Sequence, residues 1–229
     1  MQNKLSEGFY SVREAAALIA FGVIGVNDAK LRKFFKETKR YDVAVKSDRA
    51  FDNGRVIDIS FLDLMELRAI SYFRNQGITS QALRLAASEA RREFGNYPFS
   101  RRDVIFYKEG RNVLAHAAKE TKDERLLNLV SRQFEFDLVK DFVDEGVRWD
   151  INEQYPQYWH PNKIEFPEIA IDPRVSFGRP AVVNYGIETE TLYCAWVDSK
   201  GDYQAVADWF EVPLEKVRKA VRFQSELPN

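Results

Sequence analysis

A chain of 229 residues has room for two or three compact units, and its 45% hydrophobic content supplies a proper core, which excludes wholesale disorder. A single cysteine, Cys194, excludes an internal disulfide, no apolar run reaches membrane-spanning length and no secretion signal opens the chain, so a folded protein of the reducing cytoplasm is expected. The net charge of -1 excludes a surface that is basic throughout and leaves local clusters as the route to nucleic acid.

Ser11 and Glu14 stand at capping-box spacing, so a first helix is expected to begin there, with Ala15, Ala16, Leu18 and Ile19 as its packing face. Gly22 and Gly25 break it, and Asn27 is a good N-cap for a second helix that turns Leu31, Phe34 and Phe35 inward. The other side of that helix is basic: Lys30, Arg32, Lys33, Lys36, Lys39 and Arg40 stand against the single acid Glu37. Such density neutralises several phosphates and releases their counterions, and helix-turn-helix spacing makes this the DNA-contacting helix, the plain alternative being a solvated helix face. Apolar and polar residues then alternate around Asp52-Asn53-Gly54, predicting a β-ribbon from about Tyr41 to Ile59, a wing whose Arg55 would enter the minor groove. Ser60 caps a helix through Leu64, Leu67 and Ile70 that stops at Gly77, and Thr79 caps another carrying Leu83, Ala86, Ala87 and Ala90.

In the middle of the chain, "DVIFYKEG" and "NVLAHA" around "EGRN" predict a hairpin, and "DERLLNLVSRQFEFDLVKDFVDEG" predicts one amphipathic helix with its acids in water. Asp137, Asp141, Asp144 and Glu145 lie along that one helix, whereas a metal-dependent enzyme needs carboxylates converging from several elements. His116 and His160 lie far from each other and from Cys194 in sequence, without a zinc pattern or an obvious nucleophile beside them. The expectation is therefore no enzyme, no metal and no cofactor. Trp149, Tyr155, Tyr158 and Trp159 form an aromatic stretch that reads as a small core, or else a partner surface.

Between Ile171 and Thr189, Pro173, Gly178, Pro180 and Gly186 predict an arm of fixed turns. It would brace the helices that follow, or offer an edge at "RPAVV" to a partner strand. Three amphipathic helices come next, carrying Leu192, Ala195 and Trp196, then Tyr203, Val206, Ala207 and Phe210, then Leu214, Val217, Ala220 and Val221. Ala207 lets the second and third cross closely, and Pro213 is expected at the first position of the third. That helix presents Lys216, Arg218, Lys219 and Arg222, which with Arg179 make a second candidate surface for nucleic acid or a protein partner.

The pattern as a whole is mainly α. The order helix, turn, helix, wing, helix, helix, with the "SVREAA" start and the Arg74 to Ile78 turn, resembles the MerR-like winged-helix group, although the "AFGVIG" loop is longer than that group's tight turn. The stretch "DPRVSFGRPAV" followed by "GDYQAVADWFEVPLEKVRKAVRF" is similar to the small C-terminal domain of VapB-type antitoxins, with Asn184, Tyr185 and Gly186 standing where that family has a basic residue. The resemblance implies a winged helix-turn-helix over residues 1–100, a connecting segment with a hairpin, a helix and aromatics over 101–170, and a three-helix antitoxin domain over 171–229. It further implies an antitoxin of a type II toxin-antitoxin pair that binds double-stranded operator DNA, represses its own operon and neutralises a PIN-like ribonuclease toxin. Two helix-turn-helix units suggest a homodimer on paired half-sites. The residues leave two other readings open: a protein-docking module without DNA binding, and a stand-alone, ligand-responsive transcription regulator.

Overall fold

The structure, a computed structural model, describes residues 8–47, 51–52, 55–56, 58–102, 104, 108–150 and 155–228. Among these residues are ten α-helices and three two-stranded antiparallel sheets, so the protein is mainly helical.

Helix α1 (Val12–Ala20) starts at the expected capping box: Ser11 Oγ accepts from the Glu14 amide at 3.2 Å, and the Glu14 carboxylate accepts from the Ser11 amide at 2.7 Å. Helix α2 (Asp28–Arg32) is capped by Asn27, whose Oδ1 accepts from the Lys30 amide at 3.0 Å. It is shorter than the sequence suggests. After five residues the chain passes into a single 3-10 turn, Lys33–Phe35, and Lys36, Lys39 and Arg40 lie beyond the helix end. The cause lies outside the helix: Phe34 and Phe35 are buried, and the amides of Ala44 and Val45 bond to the Phe34 carbonyl at 2.9 and 3.1 Å, terminating the helix with backbone from the next segment.

Among the described residues the expected ribbon is also reduced. Strand β1 (Phe51–Asp52) pairs with β2 (Arg55–Val56), while Asn53 and Gly54 of the anticipated turn lie outside the described residues. The stretch from Tyr41 to Val45 does not extend the ribbon, because its carbonyls are taken by side chains of the fourth helix. Arg84 donates to Asp42 O at 3.0 Å, and Arg91 to Ala44 O and Val43 O at 2.7 and 2.6 Å. Helix α3 (Phe61–Asn75) begins at a Ser60–Asp63 capping box and is buried on almost every side. Helix α4 (Ser80–Phe94) begins at Thr79.

The middle of the chain corrects two expectations. The anticipated hairpin is helix α5 (Lys108–Thr121): Val113, Leu114, Ala117 and Ala118 form a stripe at helical spacing that packs between α4 and α6 (Glu124–Ser131). Short apolar runs read as alternation when taken singly; their four-residue repeat is visible only across "EGRN". The anticipated single helix is two, α6 and α7 (Gln133–Asp144), broken at Arg132 with φ -104° and ψ 108°. Arg111 of α5 fixes the joint, donating from Nε to Val130 O at 2.6 Å and lying over the Phe136 ring. Strands β3 (Val147–Trp149) and β4 (Pro156–Trp159) form the second sheet, and Trp159 is core, as expected of that stretch.

The arm is an intramolecular brace. Strand β5 (Ile169–Ala170) pairs with β6 (Ala181–Val182), Ile171 bridges to Trp159, and Ala181 bridges to Glu188 on the other side. Both sides of β6 are therefore bonded within the chain. Helices α8 (Thr189–Asp198), α9 (Tyr203–Phe210) and α10 (Leu214–Glu226) follow as anticipated, except that Pro213 is the N-cap residue, one place before the first helical position. Two junctions tie this end to the other. Tyr10 Oη donates to Gly178 O at 2.6 Å, and Phe21 stacks on Phe223 at 5.0 Å, so buried side chains from Tyr10 to Phe223 belong to one hydrophobic cluster.

Candidate nucleic-acid interface

The basic segment is turned outward because its apolar partners are turned inward. Leu31, Phe34 and Phe35 are buried, which leaves Lys30, Lys33, Lys36, Lys39 and Arg40 exposed around the same turn. Arg32 is half-buried and pairs with Asp28 one turn earlier, at 3.6 Å. A surface pair of this kind contributes at most about 1 kcal/mol and exchanges readily for a phosphate.

These cations rim a concave surface of about 740 Å³ between the loop after α1, the turn after α2 and the α3–α4 corner. Seven Lys and Arg residues line it against one acid, Glu37. Two of the seven are structural. Arg84 donates to the carbonyls of Lys33 and Lys36 as well as Asp42, and Arg74 donates to Ile78 O. Burial lowers the Arg84 pKa from its ordinary value while the Asp42 charge opposes that shift. Lys30 Nζ donates to Gly25 O at 2.5 Å and keeps further donors, and the Arg40 guanidinium lies over the Tyr41 ring at 5.6 Å. The Arg55 side chain lies outside the described residues. Arg84 and Arg91 were not singled out from the sequence as part of this region. The signal that could have found them was a guanidinium at position 84 on the otherwise apolar face made by Leu83, Ala86, Ala87 and Ala90, since a buried charge needs several partners.

The second set of cations is occupied at home. Arg179 pairs with Glu190 at 3.1 Å, Lys216 lies over the Tyr185 ring at 4.9 Å, and Arg218 lies over Tyr203 at 5.1 Å beside Glu215. Lys219 Nζ donates to Glu165 O at 2.9 Å, and Arg222 bonds the carboxylates of Glu226 and Glu165. Acids close to these cations weaken the field they project, in contrast to the turn after α2. The C-terminal helices also expose apolar surface: Trp209 on α9 is 75% exposed and Val197 on α8 is 51% exposed.

No metal-binding group of three or more His, Cys, Asp and Glu occurs among the described residues. Asp137 and Asp141 are exposed on α7, His116 meets Glu89 at 3.0 Å, and His160 Nδ1 donates to Ile169 O at 2.7 Å. Burial holds the His160 pKa below its ordinary value, which suits this neutral, structural role.

No protein-family model matches the chain, and no curated protein does. Its fold is similar to the crystal structure of Rv2018 from Mycobacterium tuberculosis, with a TM-score of 0.68 and 16% identity, over 93% of this chain and 96% of that one.

Proposed function

We propose that this chain is a DNA-binding antitoxin of VapB type, contacting double-stranded operator DNA through the turn after α2 and repressing its own operon as a homodimer. The observation that carries the reading is the outward group Lys30, Lys33, Lys36, Lys39 and Arg40, set beside one acid on a turn whose apolar residues are all buried. Lysines at this density act on the phosphate backbone and set position, whereas Arg32 and Arg40 carry the fork that reads a guanine edge. The two-stranded β1–β2 element follows in the place of a wing. On this reading the α8–α9 face, with Trp209 and Val197 exposed, receives the protein partner, a PIN-like toxin.

The test is binding to the DNA upstream of its own gene across a salt series. Removing three lysines in Lys30→Ala/Lys33→Ala/Lys36→Ala should flatten the slope of log affinity against log salt by about 0.9 for each phosphate no longer neutralised. Unchanged binding by that variant would sink the assignment. A second reading, a docking module without DNA binding, is favoured by the exposure of Trp209 alone. It predicts a stable complex with the product of the neighbouring gene and no salt-dependent DNA binding.

A further inference from the structure

The turn at the tip of the arm holds an aromatic ring in water. Ser176, Phe177 and Gly178 have φ of +48°, +53° and +81°, three consecutive residues in the left-handed region, of which only the glycine adopts it without steric cost. Such a conformation persists only where its surroundings over-determine it, and the bonds here do so. Ser176 Oγ donates to Gly186 O at 2.6 Å, Tyr10 Oη to Gly178 O at 2.6 Å, and the Phe9 amide to Phe177 O at 3.3 Å. Phe177 is nevertheless 74% exposed, its backbone partner Phe9 is 52% exposed, and Val175 at the start of the turn is 37% exposed. The fold thus accepts strain to present an apolar ring to solvent, which does nothing for the stability of a lone chain.

A cleft of about 230 Å³ opens immediately after this turn, with Ala17 and Leu18 of α1, Pro180 of the arm, and Leu227 and Pro228 after α10 as its apolar walls. That volume is below the ~300–1,000 Å³ of small-molecule sites and on the scale of one aromatic side chain. Phe177 is not among the lining residues, although Phe9 and Arg179, two residues further on, both are. Both signs of charge meet on the rim: Arg13 and Arg179 stand with Glu14, Glu188 and Glu190. Arg179 and Glu190 pair within the chain at 3.1 Å, but both are half-exposed, and such a pair exchanges readily for an equivalent one across a contact.

We propose that Phe177 is the knob and this cleft the hole of a two-fold contact between two copies of the chain, each copy seating its Phe177 in the cleft of the other. Knob and hole lie side by side, so a two-fold axis passing between them completes both contacts at once. The rim selects a second copy over a foreign partner. The two-fold sets Arg13 and Arg179 of each copy against Glu14, Glu188 and Glu190 of the other, whereas a partner of one dominant charge meets its own sign along part of the rim. The inference rests on the homodimer of the proposed reading and names its surface; it needs neither an operator nor a toxin.

The experiment is analytical ultracentrifugation of the full chain, without DNA, over a wide range of concentration. The native chain should dimerise. Phe177→Asn removes the ring and should weaken the dimer at least about a hundredfold, because truncating a buried aromatic anchor costs about tenfold or more and the two-fold counts each loss twice. Ala17→Trp fills the hole, leaves the knob untouched and should weaken the dimer as well. Urea unfolding at concentrations where the native chain is monomeric should find Phe177→Asn at least as stable as the native chain, since asparagine tolerates left-handed backbone. A loss of stability there would mean that the ring packs within its own chain, and would overturn the proposal. Undiminished dimer affinity in either variant overturns this surface and leaves the homodimer standing, whereas a native chain that is monomeric at every concentration overturns both.

Discussion

Glu66 shows how strongly one residue can couple this fold to pH. Its carboxyl sits on α3 with the residue 1% exposed, and accepts from the Ser100 amide at 2.7 Å and from the Phe99 amide. Burial outweighs those two donors and pushes its pKa up to about 8. The folded state therefore holds a proton that the unfolded chain, with an ordinary value of 4.5, releases. Stability from this group is fully present below the unfolded value and is lost as pH rises toward the folded one. Urea midpoints should fall between pH 5 and pH 8 for the native chain, whereas Glu66→Gln, which cannot ionise, should flatten that part of the curve; parallel curves would contradict the assignment. Glu66 was invisible as a special site in the sequence, because its burial arises from the Pro98–Ser100 turn packing onto α3.

At the scale of elements, the joint between α3 and α7 rests on Arg68. Its guanidinium donates to Phe142 O at 2.6 Å, Val143 O at 3.0 Å and Glu145 O at 3.2 Å, the carbonyls at the end of α7. The same group lies over the rings of Phe142 and Trp159 at 4.4 and 5.1 Å. A cation at a helix C-terminus answers the carbonyl end of the helix dipole, which here is closed by a residue on a neighbouring helix. Burial holds the Arg68 pKa down at about 10, so the group remains charged at neutral pH. Arg68→Met should cost about 3 kcal/mol in chemical unfolding, because three carbonyls at the end of α7, that of Val143 buried, lose their donor, and Arg68→Lys should recover only part of that. Full recovery by lysine would mean that charge alone, without the planar fork, holds the joint. The expected single helix over residues 123–146 hid this arrangement, since periodicity continues through Arg132 while the backbone does not.

Across the whole molecule, the two ends meet at Gly178. Its backbone has φ +81°, and a Cβ there would lie 2.3 Å from Tyr10 Oη and 3.2 Å from the Gly8 backbone. Gly178→Ala should destabilise by about 2 kcal/mol or more, through both the left-handed backbone and the collision. Tyr10→Phe removes only the hydrogen bond to Gly178 O and should cost about 1 kcal/mol. At this chain length each kcal/mol corresponds to about 2–4 °C in melting temperature, so thermal unfolding separates the two variants. Equal melting of both and the native chain would show that this junction does not hold the ends together.

Local signals determined much of this protein from the sequence alone. Caps at Ser11, Asn27, Ser60 and Thr79 placed four helix starts, and apolar spacing placed α8, α9 and α10, because such interactions are completed within a few residues of chain. The basic group at positions 30–40 was equally legible, as was the bracing role open to the arm. Only the tertiary structure decided where α2 ends, that residues 108–121 form a helix, and that Arg84 meets the lysines around one cleft. Those outcomes depend on which distant carbonyl a buried guanidinium finds and which apolar stripe finds a neighbour, and partners far apart in the chain leave no periodic mark on it.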